Sequence, residues 1–177
     1  IGSADIIYMG EGWNASVAVS RLSNGVLNYH NAGKVQASSE PQDMRLQRML
    51  GHMTTLIPRN PASVLVIGCG AGVTAGAVSV DPNVKSLTIA EIEPLVPKVV
   101  SKYFSAYNFA VVDNPKTHVV LADARHFLLP TDRKLDAITP DPLAPGGEGR
   151  AVPSAQGFAG ADGPPPTPRA HAAPARL

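Results

Sequence analysis

Cysteine is nearly absent from this 177-residue chain. Cys69 stands alone, so no intramolecular disulfide can form, and a reducing compartment such as the cytoplasm is the expected setting. The five histidines, His30, His52, His118, His126 and His171, show no ligand spacing around that thiol, so no structural metal site is expected. Runs of lysine or arginine are also missing. With a formal net charge of +1 and only 16% charged residues, nothing points to nucleic acid or an anionic membrane as partner. No apolar stretch approaches the ~20 residues of a membrane-spanning helix. The opening "IGSADIIYMGEG" lacks the basic region and cleavage pattern of a signal peptide, and the missing initiator Met reads as a fragment or a processed chain. Asn14-Ala15-Ser16 matches a glycosylation sequon, which carries little weight in a chain expected to stay in the cytoplasm.

What is present divides into three regions. Residues 1–39 are β-rich: "NASVAVSRL" alternates, with Val17 and Val19 on one face, and "SNG" at Ser23–Gly25 is a turn signal. "VLNYHNAGKVQAS" supplies one or two more strands, broken at Asn31-Ala32-Gly33, so a small antiparallel β domain is expected. A helix follows, with Ser39 as N-cap, Gln42 at capping-box spacing and Pro41 in the first turn. Leu46, Met49, Leu50, Met53, Leu56 and Ile57 recur at helical spacing and are expected to pack inward, with Pro58 ending the run.

From Ser63 to Pro145 strands and helices alternate. "SVLVIG", "SLTIAE", "THVVLAD" and "LDAITPD" read as strands, separated by helices from about Thr74, through "PLVPKVVSKYFSAYN" and at "ARHFLLP". The strands are continuously apolar, as in a parallel sheet covered on both faces. The expected fold class is therefore α/β, a doubly wound Rossmann-like domain over residues 40–145. From Gly146 onward, Ala, Gly and Pro fill 20 of the last 32 positions, too little apolar surface to offset chain entropy, so a disordered tail is expected over 146–177. Four strands make a small doubly wound sheet, and the domain reads as cut short.

Gly68, Gly70 and Gly72 form G-x-G-x-G after the first of these strands. Glycines there allow a tight turn and close approach of a ligand. The third glycine falls one place earlier than in the dinucleotide fingerprint G-x-G-x-x-G. That spacing suits a turn facing the amino-acid part of S-adenosylmethionine better than one cradling a pyrophosphate. Glu91 ends the second strand, where a carboxylate can accept hydrogen bonds from ribose hydroxyls, and Asp123 ends the third, where it can accept from an adenine amino group. A strand-end acid can instead simply cap the next helix. Asp141 ends the fourth strand and could hold an ammonium group and take its proton as the amine attacks carbon beside a sulfonium, or be only an Asp-Pro turn.

Six motifs in order carry a resemblance: "GKVQ" (33–36), "MLGH" (49–52), "VLVIGCGAG", "EIE" (91–93), "DAR" (123–125) and "DAITPDPLAP". Over Tyr8 to Pro145 the chain resembles the spermidine synthase family of polyamine aminopropyltransferases. Its wording is closest to the bacterial branch fused to a multi-span membrane region. The resemblance implies an N-terminal β-hairpin domain, then a methyltransferase-type domain. It also implies aminopropyl transfer from decarboxylated S-adenosylmethionine to a polyamine such as putrescine. On that resemblance Gln36 touches the donor, Gly68, Gly70 and Gly72 line it, Glu91 meets the ribose, Asp123 and Ala124 meet the adenine, and Asp141 activates the attacking amine. Four places depart from the family pattern: Ala71 replaces an aspartate of the glycine loop, Leu46 and Gln47 replace a tyrosine-histidine pair, and Ala144 replaces the second aspartate of D-x-x-D-P. Each removes a polar contact to a cationic substrate, so weak or absent transfer is expected. Two alternatives stay open: an S-adenosylmethionine-dependent methyltransferase, and a non-catalytic nucleoside-binding module that dimerises through its β-rich N-terminus.

Overall fold

The computed structural model describes residues 4–128 and 134–141. The tail from 146 and Ala144 lie outside the described residues. Four strands, β1 (Ala4–Glu11), β2 (Ser16–Leu22), β3 (Leu27–Asn31) and β4 (Lys34–Ser38), form an antiparallel sheet in sequential order. The alternation in β2 buries Val17 and Val19 completely, and Leu27, Tyr29 and Ala37 join them on the same face. Both turns fall where the sequence signals them: Gly25 and the pair Ala32-Gly33 adopt positive φ, the conformation a tight reversal demands.

Helix α1 (Pro41–Leu56) follows. Its N-cap is Glu40, not the expected Ser39, and no side chain caps it. The Ser39 hydroxyl is committed elsewhere, accepting the Leu27 amide at 2.9 Å. Asp43 in the first turn reaches back to accept the Ser38 amide and hydroxyl, which ties the helix to β4. The helix also faces the opposite way from the expectation. Met44, Gln47, Gly51 and Thr55 are buried, whereas Leu46, Met49, Met53, Leu56 and Ile57 are exposed. The reason is a close crossing with α2 (Val73–Ser79): a Cβ on Gly51 would overlap the Thr74 carbonyl and the Ala77 methyl. Small residues permit that approach, and the larger apolar stripe is left outside.

The second sheet contains β5 (Ser63–Ile67), β6 (Ser86–Glu91), β7 (Thr117–Leu121) and β8 (Ala137–Pro140), all parallel, in the order β7-β6-β5-β8. Helix α3 (Leu95–Phe104) joins β6 to β7, and the short α4 (Ala124–Leu128) follows β7. From β5 the chain adds β6 and then β7 in one direction, then returns to place β8 on the other side of β5. The gap between β5 and β8 is thus the switch point, where open α/β sheets bind ligands. The central strands are buried on both faces as expected: Val64, Leu65 and Val66 of β5 have no exposure, each contributing about 1.5–3 kcal/mol of burial. The outer strands are not fully covered, since Leu121 of β7 and Ile138 of β8 are exposed. Among the described residues, no helix is long and apolar enough to cross a membrane.

Candidate functional site

The turn after β5 is built around positive φ at Gly68, Gly70 and Gly72, a conformation that favours glycine. Its hydrogen bonds run outward to the sheet: the Gly68 amide donates to the Ala90 carbonyl at 2.8 Å, and the Cys69 amide donates to Glu91 Oε2 at 2.8 Å. Asn108 pins the far side by donating from Nδ2 to the Ala71 carbonyl at 3.0 Å. Asn108 gave no signal in the sequence.

Glu91 sits at the end of β6 as expected, but its carboxylate is already engaged. Besides Cys69, the amides of Ile92 and Glu93 donate to Oε1 at 2.8 and 2.9 Å. A carboxylate offers about four acceptor sites, so capacity for one further donor remains. Asp123, half exposed, caps α4: Oδ1 accepts the Arg125 amide at 2.8 Å. Its other oxygen has no partner among the described residues, and Ala124 beside it is buried. Gln36 on β4 is half-buried.

Asp141 is the residue that the switch point isolates. Its amide donates to the Ile67 carbonyl at 2.8 Å, which carries it past the end of β8 and over the glycine turn. A Cβ on Gly70 would overlap the Asp141 carboxylate, so Gly70 is the residue that admits it. The carboxyl is 9% exposed and its Oδ1 has no hydrogen-bond partner among the described residues. Burial pushes it up to about 8 from its ordinary 3.8. The Thr74 hydroxyl draws it back part of the way without completing a well-formed hydrogen bond, and the charges of Glu91 and Asp43 push in the same direction as burial.

Other buried polar groups bear on the site, and of these the sequence singled out only Gln47. Gln47, fully buried on α1, has neither side-chain atom partnered, and the same holds for the Thr74 hydroxyl. Tyr29, from β3, is buried near Glu91, Cys69 and Asp141, and burial followed by the Glu91 charge raises its phenol well above the ordinary range. Burial also raises the Cys69 thiol, so it is inert as a nucleophile. Buried polar atoms without partners are rare in folded chains, and of those among the described residues the Thr74 hydroxyl is the one set against Asp141. Gln47 could have been found from its place in the Met44–Gln47–Gly51 row. Of the other departures, Leu46 is exposed and Ala71 is buried.

The crevice is acidic. By contrast an open groove of about 730 Å³ along α1 is lined by Arg45, Arg48, His52 and Tyr107 and by none of the strand-end acids, so it plays no part in this site. Among the described residues no group of three His, Cys, Asp or Glu side chains could hold a metal.

Comparison with known proteins bears on this geometry. A family model described as the spermine/spermidine synthase domain matches residues 43–160. The polyamine aminopropyltransferase of Sulfurisphaera tokodaii is 31% identical over 109 residues, which is 62% of this chain and 36% of the relative. That of Sodalis glossinidius is 29% identical over 120 residues, 68% of this chain and 42% of the relative. The chain thus spans about two fifths of the length of these relatives. The crystal structure of spermidine synthase from Thermotoga maritima superposes with a TM-score of 0.70 at 23% identity, covering 77% of this chain and 48% of that one. A spermidine synthase in complex with the transition state analogue AdoDATO gives 0.71 at 22% identity, covering 80% and 47%. These two establish the fold, an antiparallel sheet followed by a methyltransferase-like α/β sheet.

Proposed function

The chain belongs to the spermine/spermidine synthase domain family, and from that premise we propose that its crevice is an aminopropyl-transfer site using decarboxylated S-adenosylmethionine and a polyamine such as putrescine. The observation that carries the reading is Asp141: a buried acid held over the glycine turn at the switch point, its Oδ1 without a partner among the described residues and its carboxyl pushed up to about 8. An acid so placed is poised to respond to a cation. When a sulfonium or ammonium enters, its charge favours the carboxylate and the proton leaves. The carboxylate then accepts the proton from the attacking amine as the new C–N bond forms and the C–S bond breaks, releasing methylthioadenosine as a neutral thioether. The last acceptor position of Glu91 suits a ribose hydroxyl, the open oxygen of Asp123 an adenine amino group with Ala124 beside it, and Gln36 the donor's tail.

The domain division follows the same reading: residues 1–39 as the β domain, 40–145 as the nucleoside-binding domain, and 146–177 as a tail. The edge strand β1 exposes Ile6 and Met9, which supports a homodimer through the N-terminal sheet. A cytoplasmic location fits the lone reduced thiol, and the resemblance to a membrane-fused branch supports a membrane-anchored parent.

One observation favours methyl transfer instead. Ala71 leaves the glycine turn without an acid for an aminopropyl ammonium, while the orphaned Gln47 amide could donate to the carboxylate of intact S-adenosylmethionine. Calorimetric titration with the decarboxylated and intact donors separates the two. Preference for the decarboxylated donor is expected; preference for the intact one assigns the site to methyl transfer, and binding of neither leaves a non-catalytic module.

A further inference from the structure

Among the described residues, the transfer reading leaves one buried acid unused. Glu93 is 2% exposed, two residues beyond Glu91, and its carboxylate meets the turn between β1 and β2 of the antiparallel sheet. Its Oε2 accepts the amides of Asn14 at 2.7 Å and Ala15 at 3.4 Å in the β1–β2 turn, and its Oε1 accepts the Leu95 amide at 3.1 Å at the start of α3. Asn14 also donates from Nδ2 to the Ile92 carbonyl at 2.8 Å. Gly12 makes room for this, since a Cβ there would overlap the Glu93 carboxyl. Burial alone would raise this carboxyl, but the donors from Asn14, Leu95 and Ala15 outweigh it and hold it below the usual range. It is therefore ionised at neutral pH, and charge-assisted hydrogen bonds of this kind are the strong ones.

The segment so gripped, residues 92 and 93, is the one whose amides hold Glu91 Oε1, while Glu91 Oε2 holds the Cys69 amide of the glycine turn. A single run of hydrogen bonds therefore leads from the β1–β2 turn to the glycine turn. We propose that Glu93 is a positioning residue for the donor site: by clasping the β1–β2 turn it fixes the amides that orient the Glu91 carboxylate, and through it the glycine turn. Glu93 touches no substrate. The proposal rests on the crevice being a nucleoside site, and its test separates the two.

The test uses the whole chain and two variants, Glu93→Gln and Asn14→Ala. Asn14 is exposed, so its variant folds even where removal of the buried charge does not. Methylthioadenosine affinity is measured by calorimetry on folded protein, and amide exchange is followed at Cys69, which lies outside the clasp. The Glu93 variant should weaken affinity about tenfold and the Asn14 variant about threefold, as loss of a charged and of a neutral hydrogen bond would. Cys69 protection should fall in both. Exchange that speeds up only at residues 12–15 and 93–95, with Cys69 and affinity at parental values, would overturn the proposal and leave a purely local tie. If the parent chain binds no methylthioadenosine, the nucleoside reading fails, and Cys69 exchange alone then decides whether the clasp reaches the glycine turn.

Discussion

Glu91 and Asp141 occupy equivalent positions, each ending a strand that flanks β5, yet their surroundings are opposite. Glu91 is met by three backbone amides and holds the loops around it in shape. Asp141 lies over the same turn with Oδ1 unpartnered among the described residues and its carboxyl pushed up to about 8. Strand-end placement by itself therefore does not distinguish a structural acid from a reactive one. Unmet hydrogen-bonding capacity does: a satisfied acid has little left to offer a ligand, and an unsatisfied one gains most when a ligand arrives.

The sharpest way to break this contrast is to neutralise each acid in turn. Given measurable aminopropyl transfer by the parent chain, Asp141→Asn should lower turnover by about 100-fold or more with nucleoside affinity intact; turnover at the parental rate would make the two acids alike. Glu91→Ala should do the reverse in kind, weakening methylthioadenosine binding by about 1–3 kcal/mol because three amides and a ribose hydroxyl lose their acceptor. Unchanged affinity in calorimetry would place the ribose elsewhere.

A pH series sharpens the same comparison with a smaller effect per step. The Asp141 carboxyl titrates near 8 when folded, against an ordinary 3.8, so between those values the folded chain retains a proton that the unfolded chain has lost. The stability this group contributes is fully present at the low end and is lost as pH rises through 8. Denaturant unfolding should show stability falling by up to about 1.4 kcal/mol per pH unit between pH 5 and 8. Asp141→Asn should flatten that slope. The smallest effect is expected at Asp123, half exposed and already capping α4. Asp123→Ala should cost about 1 kcal/mol of stability as a lost cap and weaken adenosine binding only a few-fold, measured alongside an inosine analogue that removes the amino donor.

The sequence made the backbone plan legible because its signals are local. Alternation at Val17 and Val19, glycine at the turns, the unbroken apolar run at Val64–Ile67 and the apolar residues Leu87, Ile89 and Ala90 of β6 each report a neighbour's requirement. All the strand-end acids were visible for the same reason. The facing of α1 was not. Helical periodicity marks the apolar stripe of Leu46, Met49 and Met53, but the inward face was chosen by Gly51, whose missing side chain lets α2 approach. Close packing of small residues leaves no hydrophobic signature to read. Nor could the sequence tell a satisfied Glu91 from an unsatisfied Asp141, because their difference rests on which amides a loop turns inward. Gln47 was read as a loss of substrate contact, yet it lies buried with its amide unpartnered.

The placement of β8 beside β5 also sets an order of events. The Cys69–Glu91 hydrogen bond closes a loop with a separation of 22 residues, whereas Asp136, at the foot of β8, accepts the Ser63 amide across 73. Closing the longer loop costs more chain entropy and is rewarded only once β5 has a sheet to belong to. The donor half of the crevice is therefore expected to assemble while the acid is still outside it. In refolding with pulsed exchange, the Cys69 amide should gain protection ahead of the Asp141 amide, which is protected only by the Ile67 carbonyl once β8 docks. Arrest at that stage would yield a chain that holds its nucleoside and lacks the group that moves the proton.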